Sequence, residues 1–128
     1  IGRVKVYRTR KPIAGFSIFV SEKNNRYDES YRFAEILGGE LLKTGRKPTL
    51  HHAEMIPGEG RPLLNEMLGI YRFDNLVVLK KTEIPAALLE VGVIVDPGDE
   101  SHISGPANQD RIVRAVVRAI RRYDMAAK

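Results

Sequence analysis

The 128-residue chain contains no cysteine. That excludes disulfides, thiolate metal sites and cysteine nucleophiles, but selects no compartment. No apolar run approaches the roughly 20 residues that a membrane-crossing helix needs, and no signal peptide is recognisable. An initiator methionine is also missing: the chain opens at Ile1, which reads as a processed product or a cut from a longer protein. Internal repeats, low-complexity tracts and interior linkers are absent. Aromatic residues make up only 7% of the chain. None is interleaved with the C-terminal arginines, so stacking on nucleic-acid bases has little support.

What is present suits one globular domain. The apolar fraction is 43%, enough for a real core. Net charge is +5 and the pI is near 9.6. Such a balance permits an anionic partner, and is equally the mark of a soluble surface.

In chain order, residues 1–12 are basic and irregular. Ile13–Ser21, rich in β-branched and aromatic residues, reads as a strand. Asp28 can cap a helix running to about Lys43, with Phe33, Ile36, Leu37 and Leu41 on one face and Gly45 at a left-handed C-terminal position. Gly38 and Gly39 within it suggest a close helix–sheet contact. Pro48–Ala53 reads as extended and carries His51 and His52, whose side chains would then face opposite sides. Met55–Leu63 is a loop dense in Gly and Pro, with Glu54, Glu59 and Arg61 as its polar groups. Leu64–Gly69 reads as a helical turn, Asp96–Asp99 as a turn and His102–Gly105 as loop. A final helix runs from Pro106 or Asn108 to Met125, burying Ile112, Val113, Val116, Val117 and Ile120. Arg111, Arg114, Arg118, Arg121 and Arg122 line its other face, either as a solvated surface or as contacts to an anionic one.

Everything turns on Leu76–Glu100. Leu76–Leu79 and Ala86–Val95 are short apolar runs bounded by polar residues, and read as two buried strands. The four residues Lys80–Glu83 between them are too few for a parallel crossover, so the strands pair antiparallel or lie apart. The fold class is α/β, a mixed sheet flanked by helices. Glu90 stands inside the second run, where a carboxylate is costly unless something pairs with it or uses it.

The segment Ile84-Pro-Ala-Ala-Leu-Leu-Glu90-Val-Gly92, preceded by Leu76–Leu79 and followed by Asp99-Glu100 and a closing helix, resembles the end of the zinc-dependent N-acetylmuramoyl-L-alanine amidases, the amidase 3 family. Gly15–Ser21 with Lys23-Asn24 resembles the strand and turn after that family's zinc site. His51–Arg61 and Gly69–Asp74 resemble one subgroup. The likeness covers nearly the whole chain and implies a phosphorylase/hydrolase-like α/β fold. It also implies cleavage of the amide between N-acetylmuramic acid and L-alanine, with zinc (Zn2+) as cofactor and Glu90 as the catalytic general base and acid.

One departure is large. The family holds zinc with an early Asp-x-Gly-His motif, a following Glu, and the His of a Ser-Ile-His motif. Asp96-Pro-Gly98 imitates the first, but Asp99 stands in place of the His. Ser17-Ile18-Phe19 imitates the third, but Phe19 cannot bind metal. The resemblance therefore implies that the zinc ligands lie outside this chain, that the chain is the C-terminal part of a catalytic domain, and that it is inactive alone. Substrate-binding candidates are His52, Glu59 and Arg61; no metal ligand is assigned. Asp99, Glu100 and His102 read as a solvated turn rather than a cation site. The expected partner is peptidoglycan in the periplasm or cell envelope, with no nucleic acid. The alternative is a non-catalytic basic α/β module that binds anionic wall polymer or nucleic acid through the last helix. On that alternative, Glu90 is a structural carboxylate paired with a buried cation.

Overall fold

A computed structural model describes residues 13–54 and 60–127. In chain order it contains β1 (Ser17–Val20), α1 (Tyr27–Leu42), a 3-10 turn (His51–Ala53), β2 (Leu63–Asn65), β3 (Ile70–Arg72), α2 (Val77–Lys81), β4 (Leu88–Glu90), α3 (Pro97–Ser104) and α4 (Pro106–Ala127). The sheet order is β2-β3-β1-β4. β1 runs parallel to β3, aligning Ile18 with Ile70 and Phe19 with Tyr71. It runs antiparallel to β4, aligning Ser17 with Glu90. β2 and β3 form a hairpin with an irregularity between Leu63 and Asn65. The architecture is the expected mixed sheet with flanking helices.

Strand alternation divides the sheet into two faces. Phe16, Ile18, Val20 and Ile70 pack against Ala34, Leu37 and Leu41 of α1 and Ile112, Ala115 and Ala119 of α4. Phe19 and Tyr71 point the other way, onto Leu79, with Ala53, Leu63, Phe73, Leu76 and Ala86 around them. Each fully buried Leu, Ile or Phe contributes about 1.5–3 kcal/mol, so the helix-covered face carries most of the hydrophobic stabilisation.

Several elements differ from the sequence expectation, each for a local reason. Leu76–Leu79 is not a strand. Both edges of β1 are already taken by β3 and β4, and the run enters α2 instead. There Leu79 is buried while Val77 and Val78 are exposed. Only Leu88–Glu90 of the second run is strand, because the backbone beyond Glu90 is captured by side chains. Arg46 Nη2 donates to Val91 O at 2.7 Å, and Val93 N donates to Asp99 Oδ2 at 2.8 Å. The two runs do not pair with each other.

Ile13–Ser21 narrows to β1, with Phe16 making an isolated parallel bridge to Pro48. Asp28 does not cap α1. The helix starts earlier, at Tyr27, with no side-chain cap, and Asp28 and Glu29 favour the positive end of the helix dipole from its first turn. Gly45 has the expected positive φ, +88°. Gly38 meets Leu68 of the β2–β3 turn rather than a strand, and Gly39 has open space beside it. Leu64–Gly69 is hairpin, not helix. Residues 97–104 form α3, which Asp96 caps by accepting from Asp99 N at 3.0 Å, with Pro97 in the first helical turn. On α4, Ala115 and Ala119 take the buried stripe with Ile112, while Val113, Val117 and Ile120 are exposed. Small alanines let α1 and α4 approach closely, and the larger residues one step round the helix fall outside that contact.

Candidate active site

The register Ser17↔Glu90 and Phe19↔Leu88 puts the Glu90 side chain on the Phe19/Tyr71 face, away from the helical core. Glu90 ends β4 and its side chain is 45% exposed. It is therefore a reachable carboxylate at a strand end rather than a sequestered one, which corrects the inference of full burial.

The residues facing it are delivered by the 48–54 segment. The Phe16–Pro48 bridge and the Thr49 N–H donating to Phe16 O at 2.9 Å pin this segment beside β1. The fully buried Tyr71 hydroxyl donates to Thr49 O at 2.6 Å. Burial, helped by the charges of Glu54 and Glu90, pushes the Tyr71 phenol up to about 12, so it stays neutral and structural. The chain then turns as a 3-10 helix rather than a strand. His51 and His52 do not face opposite sides: their rings lie 5.6 Å apart.

His52 seats its ring edge-on against Phe19, at 5.2 Å between centroids, and against Tyr71, at 5.6 Å. Its Nε2 lies 3.1 Å from Glu90 Oε2. The two atoms are at ion-pair distance without hydrogen-bond alignment, and Nε2 makes no hydrogen bond among the described residues. The neighbouring His51 has Nδ1 3.9 Å from Glu54 Oε1.

Arg61 joins the same wall. Its backbone N–H donates to His52 O at 2.7 Å. Its guanidinium lies over the Phe73 ring at 4.0 Å, and Phe73 in turn meets Phe19. The structure thus brings Glu90, His52 and Arg61 onto one aromatic face. Glu59 lies outside the described residues, as does the loop core 55–59.

Sequence reading missed Phe19, Tyr71 and Ser17 as the surroundings of Glu90. The Ser17/Phe19 alternation was the available signal, but its pairing with β4 is non-local. Ser17 is fully buried directly across from Glu90. It also missed the fold's most buried acids. Glu40 accepts from Arg122, Arg118 and Lys43 at 2.6, 3.1 and 3.1 Å, with its side chain 2% exposed. The hydrogen bond from Arg122 leads the causes that hold it at about 2, against the opposing effect of burial. Asp99 is not a solvated turn residue. It is buried, paired with Arg46 Nη1 at 2.8 Å, and accepts from Gly15 N and Val93 N. Burial works to raise its pKa, but Arg46 and the two backbone donors outweigh burial and hold it below the usual carboxylate range.

Among the described residues no three His, Asp or Glu side chains come together as a metal site. Phe19, at the Ser-Ile-His position, lies on the Glu90 face beside His52 and offers no donor atom. The described residues therefore do not fit a complete zinc site.

The four-stranded mixed sheet with helices packed on it defines an α/β domain. The family model described as N-acetylmuramoyl-L-alanine amidase matches residues 7–122, and the chain belongs to that family. Among curated proteins, it is 40% identical over 52 residues to the "Probable cell wall amidase LytH" of Staphylococcus epidermidis and 38% identical over 52 residues to that of Staphylococcus saprophyticus. Each match covers 41% of this chain and 18% of the relative. Among solved structures, it is similar to the N-acetylmuramyl-L-alanine amidase Ami1 of Mycobacterium smegmatis, with a TM-score of 0.70 and 20% identity. That match covers 86% of this chain and 46% of the other. It is also similar to the apo form of Ami1 from Mycobacterium abscessus, with a TM-score of 0.69 and 21% identity over 88% of this chain and 49% of the other. The chain therefore spans less than half the length of the solved structures, and the matched stretch covers under a fifth of the curated relatives.

Proposed function

We propose that this chain supplies the general base and acid of a peptidoglycan hydrolase that cleaves the amide bond between N-acetylmuramic acid and L-alanine at the cell envelope. In a cell with a periplasm, the periplasm is the compartment this reading expects. The observation that carries the reading is Glu90, an accessible carboxylate at a strand end, 3.1 Å from His52. Glu90 takes a proton from the attacking water as its oxygen bonds to the lactyl carbonyl carbon. It then returns that proton to the alanine nitrogen as the C–N bond breaks, leaving a free acid and a free amine. His52, held edge-on by Phe19 and Tyr71, limits the orientations open to the carboxylate. Arg61, on the same wall, provides a cation for the carboxylate of a stem peptide; Glu59, outside the described residues, is the third substrate-binding candidate.

Zinc belongs to this reading with its ligands outside the chain, so the 128 residues alone should be inactive. Among the described residues no helix is long and apolar enough to cross a membrane.

The test is Glu90→Gln in the protein that carries this chain. The expected result is loss of muropeptide amidase activity by about a hundredfold or more, with the melting temperature unchanged. If activity survives, or only stability falls, Glu90 is structural and the reading fails.

A further inference from the structure

A second, strongly charged feature lies on α4, away from Glu90 and on the opposite side of the sheet. Lys43 and Thr44, just past the end of α1, together with Arg111, Arg114 and Arg118 of α4, line a depression of about 370 Å³. Four of these five residues are cations and no carboxylate lines it. The arrangement is anchored from beneath. Glu40 receives Lys43 and Arg118 from this wall and Arg122 from beside it. A single buried carboxylate shared by three cations leaves their charge in excess. It also fixes where two of the lining head groups sit, lowering the entropy lost when they meet a ligand. Arg114 has an exposed partner, Asp110, at 2.9 Å, a pairing that solvent weakens and a ligand can displace. Concave clusters of one sign concentrate counter-charge.

We infer that this depression is a binding site for a linear polyanion recognised through its phosphate groups. Guanidinium forks match phosphate oxygens in pairs, and lysine adds a point charge. The wall holds no aromatic ring to stack a base and no apolar side chain to enter a bilayer. Those absences favour a phosphate polymer over nucleic acid or membrane. The site does not involve Glu90, so it stands or falls separately from the proposed hydrolysis.

The experiment is titration of the protein with linear inorganic polyphosphate at low salt, read by calorimetry or fluorescence. Binding should weaken with salt, log Kd rising with a slope of about 2–3 against log salt for three to four phosphates. Arg111→Glu with Arg114→Glu should weaken binding at least tenfold, roughly the loss of more than one charged contact. The control pair Lys80→Glu with Lys81→Glu, on α2 across the sheet, carries the same charge change away from the depression, and should leave binding within about twofold. Circular dichroism checks the fold; Arg111→Gln with Arg114→Gln replaces the reversal pair if it lowers the melting temperature. The inference is overturned if the two pairs weaken binding equally, since net charge alone then suffices. It is equally overturned if single-stranded DNA of matched phosphate number, or anionic phosphatidylglycerol vesicles, bind more tightly than polyphosphate.

Discussion

Replacing Glu40 by Gln should destabilise the fold by about 2 kcal/mol near neutral pH. Glu40 is 2% exposed and joins α1 to α4 through Arg118 and Arg122. A carboxyl held at about 2 instead of its ordinary 4.5 would contribute roughly 3 kcal/mol if the whole difference counted. Its cationic partners are 48–64% exposed, so solvent screening brings this down to about 1–3 kcal/mol. Gln keeps the size and some hydrogen bonding, but leaves the cations around an uncharged group. For a chain of this length 1 kcal/mol corresponds to about 4 °C, so the melting temperature should fall by about 8 °C.

The sign of the pH dependence follows from the direction of the shift. A carboxyl with a depressed folded-state pKa stabilises fully above its unfolded value, and that contribution is lost as pH falls toward the folded one. The gap between wild type and Glu40→Gln should therefore be largest above about pH 5 and nearly close by about pH 2. Thermal melts by circular dichroism across that range measure it. A gap under about 0.5 kcal/mol at neutral pH, or one that stays constant down to about pH 2, would refute a charged, bridging Glu40.

Asp99→Asn should cost about 2–4 kcal/mol, because it strips the partner from the mostly buried Arg46 and weakens the hold on Gly15 N and Val93 N. Urea denaturation measures this. Since Asp99 is held below the usual range, the loss should again be greatest at neutral pH and shrink on acidification. Gly15→Ala should destabilise by at least about 2 kcal/mol: φ there is +130°, and an added Cβ would collide with the Lys47 carbonyl and the Thr49 N–H that hold the 48–54 segment. A shifted urea midpoint with unchanged slope is the expected signature. Glu90→Gln, in contrast, should leave these stability measures where they are and remove activity.

Much of the helical architecture and one candidate site residue could be read from residue order alone. α1 and α4 were legible because helix periodicity and end signals are local: Phe33, Ile36, Leu37 and Leu41 repeat within a few residues, Gly45 follows the end, and Pro106 opens the last helix. Glu90 stood out as a candidate because Pro85-Ala86 and Val91-Gly92 flank it in a recognisable order. What surrounds Glu90 was not legible. His52 meets it only because β1 pairs antiparallel with β4 while Phe16 bridges Pro48, contacts that join residues tens of positions apart. Apolar runs such as Leu76–Leu79 carry no periodicity that separates a strand from a helical turn, and β1 is already paired on both sides by β3 and β4. Glu40 looks in sequence like any solvent-facing helix residue. Its burial exists only once Arg118 and Arg122 cross over it, because the helix–helix packing that removes water from a carboxylate is a property of the folded chain and not of its neighbours in sequence.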